Sequence, residues 1–561
     1  MKRRLIVISV LFGLMFLGIT ARLVAIQVVE NNRWTNYAKQ IQEDEFIEVS
    51  PRGRIFDRNG VLLAQDLPAM SIALDNYHMS QPEVLLDVLN RHLNLDRQTL
   101  SEKIYKVGYF TWIERQVDLH VVQALRAEVR ELGLVGLIFI NEPQRVYPQQ
   151  TLASNVIGFT NVDHHGLEGI EKSFDDWLSG EETTIKVVRT ASGVELVRET
   201  QQAGQAGADL ILTLDTRIQK VAEEKLDAGL RQFKAKTGFV VILNPKTGEV
   251  LAMAQDGRYD LNNYRNSTPA SRLNQAVARA YEPGSLFKVF SGLAALQNGV
   301  VGINETFDGD TKVKVGSHAF GNAEDNVKFG QVNLKSIIQN SVNIGIIQIA
   351  QRIGDRPFYQ YLTNVGFGRP TQVGLPGELP GTVIPVEDWS PLEIASVSIG
   401  QAVTVTGIQL SSRLAAMGNE GRIMQPYMVG EVRDPEGNPL LTHYPKSVGR
   451  IASLLNTQLM REMMEAVVEA GSGMKAQLDG FSVAAKSGTA QKVILGVPGY
   501  SPNKFISSFG GFFPSNDPQY FILVVLDEVG VWPVWGGQTA GSIFKDISQR
   551  LIVLNKMYPQ R

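Results

Sequence analysis

The sequence contains no cysteine, which excludes disulfide bonds, thiol catalysis and cysteine-ligated zinc. Histidine is also scarce, with seven in 561 residues. The pair His164 and His165 has no partner at metal-ligand spacing, and the two histidines beyond residue 285, His318 and His443, lie far apart in the sequence. The sequence therefore predicts no metal site and no cofactor.

Runs of positive charge are missing outside the first four residues. The chain carries 54 lysines and arginines against 57 aspartates and glutamates, a formal net charge of −3. A nucleic-acid-binding surface needs clustered basic residues along the phosphate backbone, so we expect no nucleic-acid partner. Repeats and low-complexity segments are also missing, and the composition (44% hydrophobic, 20% charged) is typical of a globular protein with two or three domains.

Long apolar segments are absent except for one near the N-terminus. After the basic MKRR, the uncharged stretch from Leu5 to Ala21 spans about 25 Å as a helix, and it reaches membrane length at Val29 if Arg22 extends to the interface. The preceding basic residues favour a cytoplasmic N-terminus. A cleaved signal peptide is the alternative, which the length of the segment and the lack of an A-x-A site disfavour. We therefore predict an uncleaved transmembrane helix.

The pattern along the chain changes twice, which predicts three segments. The anchor occupies residues 1–29, and residues 30–205 form a mixed α+β region with leucine-patterned helices between 82 and 135. The small, polar stretch TQQAGQAGA, at 200–208, marks the joint between domains. Residues 206–561 have the pattern of a compact α/β unit.

Local patterns predict several individual elements. TRIQKVAEEKLDAGLRQF is typical of an amphipathic helix opened by Asp215 or Thr216, and GFVVILNPKTGEVLAMA of a hairpin. Near the C-terminus FSVAAKSGTAQKV, NKFISSFGGFFP and YFILVVLDEV are strand-like, and TAGSIFKDISQRLIVLNKM is a closing helix. Directly after the anchor, NNRWTNYAKQIQEDEFIEV is predicted as a polar helix, and SPRGRIFDRNGVLLAQD as short strands with a turn at Asn59-Gly60.

A serine nucleophile is the strongest chemical signal, although its motifs are individually weak. The pattern S-x-x-K occurs four times, beginning at Ser285, Ser472, Ser501 and Ser542, and K-[ST]-G occurs three times. Penicillin-binding proteins and class A β-lactamases combine S-x-x-K with a serine–asparagine motif and a K-[ST]-G motif. Only Ser285 is followed by S-x-N and then by K-[ST]-G, so the order of the motifs selects this serine.

The first two motifs suit acyl transfer. The hydroxyl of Ser285 needs an adjacent base, and Lys288 faces it from three residues further along a helix. Apolar neighbours would bury this lysine and lower its pKa enough for it to accept a proton. Ser341 and Asn343 are one residue apart, so both can point into one cleft, where the hydroxyl relays protons and the amide orients the lysine or the substrate carbonyl. We therefore predict that these four residues are catalytic, together with Lys486 of the third motif.

The third motif suits recognition of a terminal carboxylate. Lys486 is expected on a strand with Ser487, Gly488 and Thr489, so an ammonium group and two hydroxyls would face the substrate. The backbone N–H groups of Ser285 and Thr489 would form the oxyanion hole, where one donor contributes roughly 10²–10³ in rate. The alternative is that Ser285 merely caps a helix, which is the commoner role of an isolated Gly-Ser pair.

The chain resembles the class B penicillin-binding proteins over essentially its whole length. PRGRIFDRNGVLLA and RVYPQQTLASNVIGFTNVDHHGLEGIEKSFD are similar to segments of the family's non-catalytic pedestal, the latter most of all to division-specific members. YEPGSLFK, NSVNIG, SIGQAVTVTGIQL, AAKSGTAQK and WGGQTAGSIFKDI resemble blocks of its transpeptidase domain. Two departures are Trp532 and Trp535, which stand where the family has small residues or tyrosine.

The resemblance implies a membrane-anchored, multidomain α/β protein. A mixed α+β pedestal would precede a transpeptidase fold in which helices enclose an antiparallel sheet. Ser285 would attack the penultimate D-Ala carbonyl of a peptidoglycan stem peptide ending in D-Ala-D-Ala, and an amine of a neighbouring stem would resolve the acyl-enzyme. β-Lactams would acylate the same serine. The implied location is the bacterial inner membrane with the bulk of the chain in the periplasm, and the implied partners are a polytopic lipid II-polymerising glycosyltransferase and other divisome membrane proteins.

The sequence leaves several functions open. A bifunctional class A enzyme is disfavoured because residues 30–205 lack the signature of a glycosyltransferase domain. A D,D-carboxypeptidase or β-lactamase shares the acyl-enzyme, and the sequence does not separate transfer from hydrolysis. An elongation-specific transpeptidase also fits the motifs, as does a β-lactam-binding sensor or scaffold with little turnover.

Overall fold

The computed structural model describes residues 2–108, 110–189, 195–316, 318–324, 326–493, 496 and 499–559. The chain divides into two compact units, and both are discontinuous in sequence. The smaller unit contains Met1–Arg52, Asp66–Gln144 and Ser179–Gly207, and the larger contains Gly53–Gln65, Arg145–Leu178 and Ala208–Arg561. The last crossing between the units therefore falls inside the polar stretch 200–208.

The N-terminal segment is one apolar helix. It runs from Lys2 to Val24 and continues as a π-helical turn to Val29. Among the described residues this helix alone is long and apolar enough to cross a membrane, with a mean hydropathy of 2.2, so the predicted helix is confirmed and suits a membrane anchor.

The segment after the anchor is only partly helical. A helix covers Asn31–Gln42, but Glu43–Val49 is a strand paired antiparallel with Glu182–Arg189. The prediction of one polar helix is therefore wrong for its last seven residues. EDEFIEV has phenylalanine, isoleucine and valine, which favour a strand once a partner is available, and that partner lies far along the chain.

The smaller unit contains two three-stranded sheets and a set of helices. One sheet has the order Glu43–Val49, Glu182–Arg189, Glu195–Gln202, and the other Thr111–Asp118, Ala69–Leu74, Leu137–Asn141. The helices after the anchor are Asn31–Gln42, Pro82–Leu93, Arg97–Ile104 and Leu119–Glu131. The helices predicted between 82 and 135 are thus confirmed, and their leucines and valines pack with Ile72 and Leu74 in one apolar cluster.

The larger unit is built on a five-stranded antiparallel sheet, called the central sheet below. Its order is Val250–Gln255, Thr237–Leu243, Tyr520–Asp527, Tyr500–Phe513, Ala484–Val493. Side chains alternate between its faces, so that Val240 and Ile242 join one apolar cluster and Phe239 and Val241 join another. The first cluster includes the helices Thr216–Phe233 and Ala540–Leu554, and the second includes the helices around Ser285. The predicted antiparallel sheet between helices is confirmed.

The remaining elements of the larger unit are mostly short. A six-stranded sheet has the order Pro439–Thr442, Val429–Arg433, Asp209–Leu212, Ile55–Phe56, Leu62–Leu67, Gln144–Val146. The further strands are Ala280–Tyr281, Thr306–Asp308, Val313–Val315, His318–Phe320, Gln331–Asn333, Thr382–Val383, Val403–Thr406, Arg422–Met424 and Ser447–Arg450. The further α-helices are Ser154–Ile157, Gly169–Ser173, Asp175–Leu178, Pro269–Arg272, Gln275–Ala278, Lys288–Gln297, Leu334–Asn340, Asn343–Ile353, Asp355–Asn364, Glu393–Ser398, Gly407–Ala415 and Leu454–Ala470.

Two predicted local details are also confirmed. The carboxylate of Asp215 caps the helix Thr216–Phe233 by accepting hydrogen bonds from the N–H groups of Arg217 and Ile218. The turn at Asn59-Gly60 joins Ile55–Phe56 to Leu62–Leu67, and Gly60 has a φ of +81°.

Candidate active site

Ser285 lies in a tight turn rather than at a helix cap. It is the second residue of the 3₁₀ turn Gly284–Phe287, whose N-cap position is Pro283, and the α-helix Lys288–Gln297 follows directly. A serine inside the turn is not placed to cap either helix, so the capping alternative is wrong. Its side chain is half-buried in the wall of a cleft of about 850 Å³.

Glycine contacts fix the position of this turn. Gly284 has a φ of +56°, and a Cβ atom on it would lie 3.0 Å from the carbonyl oxygen of Thr489 on the central sheet. Its N–H donates to the carbonyl of Gly400 at 3.0 Å, and a Cβ atom on Gly400 would lie only 2.0 Å from the carbonyl oxygen of Gly284. These close approaches hold Ser285 beside Thr489, and both residues line the cleft.

Lys288 is the best-connected polar group of the site. Its side chain is fully buried, and its Nζ donates to the carbonyl oxygen of Ser341 (2.5 Å), to Oγ of Ser341 (3.1 Å) and to Oδ1 of Asn343 (2.6 Å). Burial, and secondarily the charge of Lys486, lower the pKa of Lys288 well below its ordinary value. A lysine in this environment can lose its proton and act as a base.

The serine–asparagine motif sits between two helices. Ser341 follows the helix Leu334–Asn340 in a left-handed conformation with a φ of +62°, and the helix Asn343–Ile353 begins two residues later. Such a conformation is unfavourable for a residue with a Cβ atom. It turns the chain between the helices, so that both motif side chains contact the amine of Lys288.

The K-[ST]-G motif lies on the edge strand of the central sheet, Ala484–Val493. Ser487 and Thr489 line the cleft, whereas Lys486 is fully buried beneath its surface. Its Nζ donates to the carbonyl oxygen of Ser487 at 3.0 Å. Burial lowers the pKa of Lys486 to about 7, so its ammonium is only partly charged at neutral pH.

The two hydroxyls of this strand have partners from outside the motif. Oγ of Ser487 lies 2.9 Å from Oγ of Ser472, and Oγ1 of Thr489 accepts the N–H of Gly536 at 3.0 Å. A Cβ atom on Gly536 would lie 2.2 Å from the carbonyl oxygen of Gly488, so only glycine permits this approach. Sequence reasoning considered Ser472 only as a rejected nucleophile, and the structure places it in the cleft.

Aromatic side chains line the outer part of the cleft. Trp532 is 73% exposed and meets Trp535 edge to face, with ring centroids 5.7 Å apart. Tyr500 and Phe505 contribute from the central sheet. The site thus combines a polar floor around Ser285 with an aromatic rim.

Sequence reasoning missed a half-buried carboxyl group three residues before Ser285. Glu282 accepts hydrogen bonds from the N–H of Ala402 (2.9 Å) and from the hydroxyl of Tyr500 (3.0 Å), and burial raises the pKa of Glu282. Its position three residues before Ser285 was the only available signal, because Ala402 and Tyr500 are far away in sequence. Within the described ranges, histidine, cysteine and carboxylate side chains form no group of three that could hold a metal ion.

Comparison with known protein families identifies the architecture. Residues 238–549 match the penicillin binding protein transpeptidase domain, and residues 47–212 match the penicillin-binding protein dimerisation domain. The chain therefore belongs to the penicillin-binding proteins, with the two-domain arrangement of class B. The family resemblance of the sequence is confirmed.

Individual relatives agree with this assignment. The probable peptidoglycan D,D-transpeptidase PenA of Neisseria meningitidis serogroup A is 32% identical over 546 residues, which cover 95% of this chain and 90% of the relative. The peptidoglycan D,D-transpeptidase FtsI of Escherichia coli K12 is 30% identical over 503 residues, covering 88% and 82%.

Solved structures show the same fold. The crystal structure of penicillin binding protein 3 from Mycobacterium tuberculosis, complexed with aztreonam, has a TM-score of 0.71 at 25% identity and covers 92% of this chain and 98% of its own. Penicillin binding protein 2X from Streptococcus thermophilus has a TM-score of 0.77 at 24% identity, with coverages of 91% and 81%, and supports the fold alone.

Proposed function

We propose that this chain is a serine D,D-transpeptidase that cross-links peptidoglycan stem peptides. The observation that carries the proposal is the buried amine of Lys288, which follows the half-buried Ser285 by three residues and is held by Ser341 and Asn343. Together with the carboxylate-binding strand beside it, this set provides a nucleophile, a base and a substrate anchor in one cleft.

Acylation begins when Ser285 transfers its hydroxyl proton to the neutral amine of Lys288. Its Oγ forms a bond to the penultimate D-Ala carbonyl carbon, and the carbonyl electron pair moves onto oxygen. The N–H groups of Ser285 and Thr489 stabilise that oxyanion. The bond to the terminal D-Ala nitrogen then breaks, and Ser341 passes a proton from Lys288 to the leaving amine.

Deacylation repeats these steps with a second substrate. The amine of a neighbouring stem gives up a proton through Ser341 and Lys288 and attacks the ester carbon. The ester C–O bond breaks, and the proton returns to Oγ of Ser285. The product is a new amide cross-link, and the enzyme is regenerated.

The terminal carboxylate of the donor peptide is bound by the strand of the third motif. Hydroxyls of Ser487 and Thr489 line the cleft, Gly488 permits close packing, and Lys486 supplies charge from beneath. A bound carboxylate favours the protonated form of Lys486, so substrate binding supplies the charge that burial otherwise disfavours. The similar penicillin binding protein 3 of Mycobacterium tuberculosis has been crystallised in complex with aztreonam, and we propose that β-lactams bind in this cleft and acylate Ser285.

We propose a bacterial inner-membrane protein with residues 1–29 as a single-pass anchor, its N-terminus in the cytoplasm, and a periplasmic pedestal (30–205) and catalytic domain (206–561). The basic residues before the anchor support this orientation. A role in septal synthesis is supported by the similarity to FtsI. The expected partners are a polytopic lipid II-polymerising glycosyltransferase and other divisome membrane proteins.

The test is covalent labelling of the full chain in detergent. Intact mass after incubation with penicillin should show one added drug mass on the parent and none on Ser285→Ala. Incubation with a D-Ala-D-Ala stem peptide and an acceptor amine should release D-Ala and form the cross-linked product. Labelling of the Ser285→Ala variant, or a folded parent that never acylates, would refute the nucleophile. A long-lived acyl-enzyme without turnover on stem peptides would instead identify a sensor.

A further inference from the structure

A polar side chain of the cleft wall, beside the serine–asparagine motif, is not used in the chemistry above. Asn322 is half-buried, and its Oδ1 accepts hydrogen bonds from the N–H groups of Asn343 (3.0 Å) and Ile344 (3.2 Å). Its Nδ2 donates to the carbonyl oxygen of Gly309 at 2.8 Å. Both ends of this amide are therefore engaged, and its acceptor end lies at the start of the helix Asn343–Ile353.

Asn322 takes the place of an ordinary helix cap. The N-cap position of the helix Asn343–Ile353 is Val342, whose side chain has no acceptor for the first N–H groups. An asparagine is among the preferred capping residues, but it normally stands directly before its helix. Here it comes from twenty-one residues upstream, so the start of the catalytic helix depends on a separate segment of chain.

That segment is attached to the same helix by apolar packing. It follows a hairpin formed by Val313–Val315 and His318–Phe320. Val315 is buried together with Ile347 of the helix, and Phe320 packs against this cluster. The hairpin therefore supports the carbonyl of Gly321 and the side chain of Asn322 as one body with the helix.

The neighbouring residue fixes which way the catalytic amide points. The carbonyl oxygen of Gly321 accepts from Nδ2 of Asn343 at 3.0 Å, while Oδ1 of Asn343 accepts from Lys288. If the amide were flipped, its oxygen would face the carbonyl of Gly321 and its NH₂ group would face Lys288. Once Lys288 is neutral, such an NH₂ group would donate to the lone pair that must receive the proton of Ser285.

We propose that Asn322 is a positioning residue for the reaction. By capping the helix that begins at Asn343, it holds the Asn343 amide between Gly321 and Lys288, and so keeps the lone pair of the lysine available to Ser285. The proposal rests on the transpeptidase function proposed above and extends it to a residue outside the three motifs. It predicts a loss confined to the acylation step, because Asn322 acts on the base rather than on the carboxylate site.

The experiment separates that step from binding in the full chain in detergent. Rapid-mixing kinetics with a fluorescent penicillin gives the dissociation constant of the initial complex and the first-order acylation rate. Asn322→Ala is expected to lower the acylation rate about 10- to 100-fold, the range of a small misplacement of a catalytic group, with initial binding unchanged. Asn322→Asp keeps the acceptor for both N–H groups but loses the donor to the carbonyl of Gly309, so it is expected to recover only part of the rate lost in the alanine variant.

A matched control removes a cap elsewhere in the same unit. Oγ of Ser453 accepts the N–H of Asn456 at the start of the helix Leu454–Ala470, so Ser453→Ala loses a cap without touching Asn343, and its acylation rate should equal that of the parent. Parental rates in Asn322→Ala, Asn322→Asp no faster than the alanine variant, or an equal loss in Ser453→Ala would each overturn the proposal. If Asn322→Ala does not fold, Asn322→Ser takes its place. A parent that is not acylated would refute the transpeptidase function itself.

Discussion

The Nζ atom of Lys288 donates a 2.6 Å hydrogen bond to Oδ1 of Asn343, although the two residues are 55 positions apart in the sequence. The amide oxygen is a neutral acceptor. A carboxylate in its place would favour the protonated lysine, whereas a neutral acceptor orients the amine without retaining its proton. The same bond therefore holds the amine of Lys288 in position and does not oppose the lowering of its pKa by burial.

Replacing Lys288 should abolish rapid acylation without unfolding the protein. Lys288→Met keeps the volume of the buried side chain but removes the base, and a loss of about 10²–10⁴ in the acylation rate is expected. Lys288→Arg should fail equally, because a guanidinium does not deprotonate. Fluorescent-penicillin labelling measures the rate. Lys475→Met removes the exposed lysine of the rejected motif at Ser472 and should leave labelling unchanged.

The binding of carboxylate-bearing ligands should weaken with rising pH. The pKa of Lys486 is about 7, so this group loses its charge as the pH rises through neutrality, and the initial penicillin complex should dissociate more readily between about pH 6 and pH 9. In Lys486→Met this pH dependence of binding should disappear. Binding that is equally pH-dependent in both proteins would contradict a role for Lys486 in holding the carboxylate.

Lys486 should also lower the stability of the fold. Its pKa in the folded protein lies below that of an unfolded lysine, so protons bind preferentially to the unfolded chain, and stability is lost as the pH falls towards 7. Lys486→Met should therefore raise the midpoint of thermal unfolding, by roughly 1 °C per kcal/mol recovered in a unit of this size. The gain should shrink above about pH 10, where the unfolded-state lysine is also neutral. Circular dichroism at two pH values measures it.

The hydroxyl of Ser472 should affect binding more than chemistry. It lies 2.9 Å from Oγ of Ser487, so Ser472→Ala removes one hydrogen bond worth about 0.5–1.5 kcal/mol, and KM for a stem-peptide donor should rise up to about tenfold with kcat retained. Ser542→Ala is the control, since that half-buried residue donates its hydroxyl to the carbonyl of Gln538, which lies just before the helix Ala540–Leu554. If kcat of Ser472→Ala fell instead, by as large a factor as the expected rise in KM, the hydroxyl of Ser472 would act in the chemical step.

The contact between Gly284 and Gly400 should be sensitive to a single methyl group. Gly400→Ala places a Cβ atom 2.0 Å from the carbonyl oxygen of Gly284, and we expect acylation to fall about 100-fold because the turn of Ser285 is displaced. Gly299→Ala is the matched control, because Gly299 also has a positive φ (+65°) but open space around it. Equal effects of both variants on acylation would show that backbone conformation, rather than the close contact, is responsible.

Much of the site could be predicted because its information is local. Ser285 and Lys288 are three positions apart in the sequence, and a single residue separates Ser341 from Asn343. Such spacings have direct geometric meaning. The strands of the central sheet could also be predicted, since short apolar runs such as YFILVVLDEV are typical of buried strands.

The remaining features depend on partners that are distant along the chain. The strand Glu43–Val49 forms because Glu182–Arg189 pairs with it. No turn residue separates it from the preceding polar helix, so the sequence alone does not show where the helix ends. Asn322 and Tyr500 reach the site from separate loops and strands, and no spacing rule connects them to Ser285. The lowered pKa of Lys486 likewise depends on burial by residues that the strand sequence does not specify.

The close contact of Gly284 and Gly400 beside Ser285 also bears on how this enzyme can change under antibiotic selection. A single added carbon atom at Gly400 would collide with a main-chain oxygen, so we expect substitutions at this position to be eliminated during selection. Trp532, by contrast, is 73% exposed and tolerates replacement at little cost to the fold. Drug resistance that preserves cell-wall synthesis should therefore arise first at the rim of the cleft.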